Sequence, residues 1–235
     1  MREFSRLATT DTRHLLGVLI DPNSAPAAYQ SAMISLGRQL GETIAKELPA
    51  PVRAQSVCLA CTVEDADYLA KGVLDGLMGG GLQAESLTFV CFWNERVHGF
   101  DGSSVHSFDV APVLKQYREK ADLDNSVVVI VKSIISGACV VKTNLATLIE
   151  DVTPSRVFVA APVMLKGAED RLASEFPDAI AKRFEYMTFA IDDEKRDDDV
   201  IPGIGGSVYA RLGFQDKNTY VPEIVKQRRK LLAAA

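Results

Sequence analysis

The stretch Ile135-Ser136-Gly137-Ala138-Cys139 has the residue types of an anion cradle. It follows a run of apolar, mostly β-branched residues and precedes a helical pattern. Small side chains let backbone N–H groups approach a negatively charged ligand, and the start of a helix adds a favourable dipole. Ser136 supplies a hydroxyl donor and Lys132 a positive charge. Lys132, Ser136, Gly137, Ala138 and Cys139 are therefore the candidate phosphate-binding residues. The competing reading is that any parallel α/β domain has such strand-to-helix turns. A second stretch, Val200-Ile201-Pro202-Gly203-Ile204-Gly205-Gly206, lies behind the acidic run 192–199. Its Pro/Gly-rich backbone suits the reading of a flat heterocycle.

Other reactive types have plainer readings. Cys58 and Cys61 form a C-x-x-C, the spacing of a redox or metal half-site. They fall within an apolar strand pattern and no second such pair follows, so they read as small core residues. The acids 192–194 and 197–199 are split by Lys195-Arg196 and read as a solvated loop rather than a cation site. Lys226, Arg228, Arg229 and Lys230 form a basic cluster near the end, with Leu231-Leu232 beside it. That cluster is either a solvated helix end or a contact for an acidic or nucleic-acid partner.

The elements that must position these residues alternate. Helices are expected over 26–48, 63–78, 110–120, 140–151 and 165–176, and from Pro222 onward. Strands are expected over 56–61, 87–93, 126–131, 156–161 and 186–191. In the helix over 26–48, Met33, Leu36, Leu40, Ile44 and Leu48 recur at three- and four-residue spacing. Ser24 is a candidate cap, and Pro26 falls in the first turn. The first 25 residues show no clear pattern. Apolar strands separated by helices indicate a mostly parallel twisted sheet covered on both faces, an α/β fold. Residues 94–108 form a polar, Gly-containing insertion that is too long for a tight turn and reads as a flap. The division expected is one domain over 1–214 and a basic helical tail over 215–235.

A net charge of −5 and a pI near 5.3 argue against general nucleic-acid binding. No apolar run reaches the roughly 18 residues of a membrane span. A soluble, reducing, cytoplasmic setting is the expectation.

Several of these segments resemble the uracil phosphoribosyltransferase family. Ser136-Gly137-Ala138-Cys139 looks like the end of the family's Asp-Pro-Met-Leu-Ala-Thr-Gly-Gly-Ser turn, shortened by one residue upstream. Val200-Ile201-Pro202-Gly203-Ile204-Gly205 resembles Ile-Val-Pro-Gly-Leu-Gly, whose backbone reads the uracil edge. Leu19-Ile20-Asp21-Pro22-Asn23 and Arg211-Leu212 look like the family's N-terminal segment and later Arg-Leu. The resemblance implies a phosphoribosyltransferase-like fold, Mg²⁺ with PRPP as co-substrate, a base held at Ile201 and Gly203, and a homo-oligomer, commonly a dimer. It suggests the helix over 26–48 as the interface. Trp93-Asn94-Glu95-Arg96 looks like the family's Tyr-Arg-Asp-Glu and makes Arg96 the candidate for pyrophosphate.

The chain also departs from that pattern. Val131 or Lys132 stands where the family has an acid facing the ribose. Gly206-Ser207-Val208-Tyr209 replaces Asp-Ala-Gly-Asp, and Thr62-Val63-Glu64-Asp65-Ala66-Asp67 replaces the Arg-bearing pyrophosphate turn. Losing one preorganised electrostatic contact costs about 10²–10³ in rate. His98 and His106, with Arg96, are the substitutes at hand. The leading expectation is a transferase-like scaffold without ordinary catalysis, keeping a nucleotide or phosphoribosyl pocket or serving as an interaction subunit, including in bacterial defence. The alternative is an active transferase on a uracil-like base with a rearranged site.

Overall fold

The computed structural model describes the 235-residue chain except residues 52–54, 96, 101–106, 121–123, 125, 151–152, 198, 215, 217–218 and 235. Side chains of 97–100, 107–110, 232 and 234 also lie outside the description. In chain order the elements are β1 (Arg2–Phe4), α1 (Thr10–Ile20), α2 (Pro26–Glu47), β2 (Val57–Thr62), α3 (Lys71–Gly79), β3 (Leu87–Asn94), β4 (Val97–Phe100), β5 (Ser107–Val110), β6 (Val113–Arg118), β7 (Val127–Val131) and β8 (Ile134–Ile135). There follow α4 (Cys139–Ile149), β9 (Arg156–Leu165), α5 (Ala168–Ala173), α6 (Asp178–Ala181), β10 (Phe184–Asp192), β11 (Glu194–Arg196), β12 (Asp199–Ile201), α7 (Val208–Leu212) and α8 (Glu223–Ala234).

The main sheet runs β1-β10-β9-β7-β2-β3-β6, with β8 continuing alongside β9. Its inner strands are parallel, and the edge strands β1 and β6 are antiparallel. Alternate residues of the buried strands feed two cores. Val127, Val129 and Val131 of β7 face α1, α2 and α3, whereas Val128 and Ile130 face α4 and α5. Both sheet faces are thus covered, and the chain has the expected α/β fold. The same alternation settles the C-x-x-C. Cys58 and Cys61 lie three residues apart on β2, so their side chains enter opposite cores. Burial pushes the Cys58 thiol up to about 11 and Cys61 well above the ordinary range.

Two differences from the sequence reading have clear causes. Residues 110–120 were expected to be helical. Instead β6 adds to the open edge of β3, in antiparallel register from Val90↔Arg118 to Trp93↔Lys115. Tyr117 then gains a buried site where its hydroxyl donates to Glu119 Oε1 at 2.9 Å. Tertiary pairing overrides the local helical pattern here. The unassigned N-terminal residues form β1 and α1. Thr9, joined to Thr12 in a capping box, starts α1. The cap position of α2 is Ala25 rather than Ser24, with no side-chain bond.

The apolar stripe of α2 is consumed inside the chain, against α1, α3 and the sheet. Gly37 and Gly41 of α2 lie against Gly72 and Gly76 of α3. A Cβ at Gly41 would come within 2.2 Å of the Val73 carbonyl oxygen, and one at Gly37 within 2.2 Å of that of Leu69. This backbone-to-backbone contact leaves no room for a methyl group. Gly41→Ala gains helix propensity but must push the helices apart. We expect a net loss of about 1–3 kcal/mol, lowering Tm in thermal unfolding by ~2–4 °C per kcal/mol. An unchanged Tm contradicts the packing account.

Candidate functional site

In open α/β sheets ligands collect beyond the carboxyl ends of the strands. Here the chain breaks its own sheet to build such a site. Between β7 and β8 the pairing with β9 lapses at Lys132 and Ser133, although the Lys132 N–H still donates to the Ala160 carbonyl at 3.0 Å, and β9 carries Pro162 opposite the gap. Proline has no N–H to give to a ladder. The side-chain phase of β9 reverses across it: Phe158 and Ala160 share a core with Val163, an odd-numbered residue. The break turns Lys132 and Ser133 into a cavity of about 280 Å³, whose wall also holds Glu64, Ser136, Asp199 and Tyr209.

The deepest feature of this wall is a shared charge. Lys132 Nζ donates to Glu64 Oε1 at 2.9 Å and to Asp65 Oδ2 at 2.8 Å, and all three side chains are almost fully covered. Asp65 also accepts from Thr62 Oγ1 at 2.8 Å and from the Ser133 N–H at 3.1 Å. Glu64 Oε2 accepts from the Tyr209 hydroxyl at 2.8 Å. Burial opposes the Lys132 charge, yet Asp65 and Glu64 hold its ammonium above the ordinary lysine range. Burial opposes ionisation of Glu64 too, but Lys132 and the hydrogen bonds outweigh it and hold the carboxyl below its usual value. Asp65 goes the other way. Burial raises it, and the neighbouring Glu64 charge adds to the rise against the pull of Lys132.

Each acid of the segment 62–67 therefore has a structural use. The third, Asp67, caps α8 by accepting from the N–H groups of Glu223 at 2.8 Å and Ile224 at 2.9 Å, and from the Tyr220 hydroxyl. Arg228 of the basic cluster pairs with Glu119 and reaches the Leu87 carbonyl at 2.9 Å. Trp93 Nε1 donates to the Tyr220 carbonyl at 3.0 Å. The tail is thus docked on the sheet edge, while Lys226, Arg229 and Lys230 stay exposed.

The anticipated phosphate turn opens α4. Ala138 is its cap residue, and Ser136 with Val140 lines the cavity. A Cβ at Gly137 would meet nothing within 4 Å, so its surroundings are open. Arg171, which the sequence reading did not single out, places its guanidinium 3.5 Å from the Ser136 carbonyl. Lys132 reaches the cavity wall with its ammonium already shared by two carboxylates.

The loop 202–206 is built from the inside. Gly203 (φ +56°) donates its N–H to the buried Asp192 Oδ2 at 2.9 Å, and its carbonyl accepts from Arg2. Arg2 in turn binds Asp192 through Nε at 2.8 Å and Nη2 at 2.7 Å. The Tyr29 hydroxyl, raised by burial, donates to the Ile204 carbonyl at 3.0 Å. A Cβ at Gly205 (φ +79°) would meet the Leu19 carbonyl oxygen at 2.2 Å. Asp192, read from sequence as part of a solvated loop, is fully buried instead. The cavity wall takes Ile204, Gly206 and Ser207 from this loop, not Ile201 or Gly203. Arg96 and His106 lie outside the described residues, as does the side chain of His98. The insertion they belong to contains the antiparallel pair β4 and β5. Among the described residues no group of three or more His, Cys, Asp or Glu is placed to hold a metal ion, and no helix is long and apolar enough to cross a membrane.

No protein-family model and no curated protein matches this chain. Solved structures do. AQ2163 of Aquifex aeolicus aligns with a TM-score of 0.65 at 13% identity, over 89% of this chain and 97% of that one, and shows the same fold. A hypothetical protein of Neisseria gonorrhoeae with bound ppGpp aligns with a TM-score of 0.42 at 14% identity, over 69% and 80%. The hypoxanthine-guanine phosphoribosyltransferase of L. donovani aligns with a TM-score of 0.37 at 13% identity, over 67% and 77%.

Removing Lys132 tests the shared charge. Lys132→Met leaves two buried carboxylates facing each other, which we expect to cost about 3–5 kcal/mol near pH 7. Both carboxyls then have folded-state pKa values raised above their unfolded ones. Such groups favour the fold below the unfolded value, and that contribution is lost as pH rises through the folded one. The deficit of the variant is therefore largest at neutral pH and shrinks as pH falls toward about 4. Urea unfolding of both proteins across this range reads it, and a pH-independent deficit contradicts the assignment.

Proposed function

We propose that this chain is a phosphoribosyltransferase-like protein whose cavity binds a mononucleotide or a phosphoribosyl monophosphate without carrying out ordinary PRPP-dependent transfer. The observation that carries this reading is the commitment of Lys132 to Glu64 and Asp65 at the cavity wall. PRPP brings a pyrophosphate as well as a 5-phosphate, and pyrophosphate needs cations or a metal held beside it. The cavity offers that end carboxylates instead: Glu64, backed by Asp65, and Asp199. Glu64 is paired with Lys132 and Tyr209, so the donor set does not suit a protein-held Mg²⁺.

A single phosphate is better served. The turn at Ser136, Gly137, Ala138 and Cys139 presents the N-terminus of the 11-residue helix α4, with Arg171 beside it. A cavity of about 280 Å³ lies at the lower end of ligand pockets, which suits one nucleotide rather than a dinucleotide. The base would lie against Ile204, Gly206 and Ser207. The sequence resemblance to uracil phosphoribosyltransferases supports uracil as that base. On this reading the scaffold senses a nucleotide or presents it to a partner, with the exposed Lys226, Arg229 and Lys230 as the contact for an acidic macromolecule. Self-association as a dimer would use surfaces other than the buried stripe of α2.

Gly137→Leu tests the phosphate end. The open space around this residue lets the fold keep its stability, while the side chain blocks approach to the α4 N-terminus. Wild-type protein should gain about 2.7 kcal/mol of apparent stability with UMP or another nucleoside monophosphate at a hundredfold excess over Kd. The variant should have the same Tm without ligand and lose that gain. Mg²⁺-PRPP with uracil should release no pyrophosphate at an enzymatic rate. Steady turnover sinks the reading, as does a variant that keeps the gain.

A further inference from the structure

The outer edge of β6 combines an unpaired strand backbone with concentrated positive charge. β6 ends the main sheet, and among the described residues no strand pairs with its far side. The ladder with β3 fixes which of its backbone groups face outward. Glu119 donates its N–H to the Phe89 carbonyl at 3.2 Å, so Glu119, Tyr117 and Lys115 stand in hydrogen-bonded pairs with β3. Gln116 and Arg118 fall between them, and residues in that position turn their N–H and C=O away from the partner strand. Both are exposed. A bulge at Trp93/Asn94 leaves Leu114 out of the register, and this leucine is 54% exposed.

Segments 113–120 and 223–234 carry seven Lys or Arg and two acids on a chain whose net charge is −5, so the basic character is local to this edge. Of the two acids, Glu119 is buried against Arg228. Alternation puts Lys115 and Tyr117 on the face where α8 docks, and Arg118 and Lys120 on the other. Aromatic rings hold cations in place on the first face. Lys115 Nζ lies 4.9 Å from the centroid of the Trp93 ring, and the Arg229 guanidinium lies 5.5 Å from that of Tyr117. Such an edge discriminates among occupants. A second copy pairing β6 with β6 would set like charges against each other, which is destabilising. A nucleic acid would use the side chains but has no strand backbone to continue the ladder at Gln116 and Arg118. An extended acidic polypeptide uses both.

We propose that β6 is a docking edge for an acidic, extended segment of a partner protein. The segment adds a strand through the backbone of Gln116 and Arg118 and sets carboxylates against Lys115, Arg118 and Arg229, with an apolar side chain on Leu114. This docking extends the partner contact proposed for the tail cluster, and it does not depend on what fills the cavity.

The experiment uses the full chain, ¹⁵N-labelled, and an acetylated and amidated peptide of alternating Glu and Val, about seven residues long. Amide hydrogen exchange is read with and without the peptide. Without it, the amides of Lys115 and Tyr117 should exchange slowly and those of Gln116 and Arg118 fast. With it, all four should be slow. The same peptide N-methylated at each backbone amide keeps its charge but cannot donate to the ladder, and it should bind about 5–30-fold more weakly. Gln116→Pro removes an outward N–H and leaves the β3 ladder whole, so it should weaken binding by a similar factor with little change in Tm. Peptide binding without protection at Gln116 and Arg118 overturns the edge pairing and leaves charge contact alone. Equal binding of the methylated peptide does the same. An oligonucleotide that binds where the peptide does not overturns it in favour of a nucleic-acid face. A dimer in sedimentation that is lost in Gln116→Pro gives the edge to a second copy and overturns it as well, as does failure of every probe to bind. UMP is titrated separately. If it does not bind while the peptide protects the amides, the nucleotide reading fails and the docking edge stands.

Discussion

One buried lysine shared by two carboxylates holds the candidate site together. The charges of Lys132, Glu64 and Asp65 sit at the ends of β7 and β2, the two strands at the middle of the sheet. Taking such charges out of water costs several kcal/mol per ion, so their positions are tightly set by the bonds that compensate them. Thr62, Tyr209 and the Ser133 N–H complete those bonds. The Ser133 backbone, the Tyr209 hydroxyl and one part of the cavity wall are tied to this group. The trio itself holds two carboxyl groups against one ammonium.

A second buried charge pair plays the same part on the other side. Arg2 of the edge strand β1 and Asp192 at the end of β10 clamp Gly203 by both its backbone polar groups. The Pro-Gly-Ile-Gly loop is therefore a device of the scaffold before it is a contact for any ligand. Its glycines are required by left-handed φ at Gly203 and by the approach of Gly205 to the end of α1. Arg211 closes the arrangement by donating to the Leu19 carbonyl at 3.1 Å and the Asp21 carbonyl at 2.7 Å.

Much of the fold was legible from periodicity. The β-branched run of β7 and the three- and four-residue spacing of α2 are strong signals because burial alone decides them. The β6 strand was not, since its structure comes from pairing with β3 and not from its own residues. The α2–α3 contact had a signal in the spacing Gly37/Gly41 and Gly72/Gly76, but two helices must be known to meet before that spacing means anything. The site was half legible. The turn at Ser136–Cys139 stood out, as did the acids at 64, 65 and 67. Reading those acids as a repulsive surface for pyrophosphate missed that each has a partner far away in sequence: Lys132, the Ser133 N–H and the start of α8. Lys132 is a candidate phosphate ligand from sequence, and its sharing by Glu64 and Asp65 was not legible, because sequence order does not reveal which charges share a buried volume.

The most direct test of the account is the ammonium resonance of Lys132 in ¹⁵N-labelled protein, followed through a pH titration with and without a phosphate ligand. The account predicts an ammonium that stays protonated above the ordinary lysine value of about 10.4, both without ligand and with UMP or PRPP added. An amine that titrates at the ordinary value, or that shifts strongly as phosphate binds, would show that Lys132 is free to serve the ligand and would contradict the central claim.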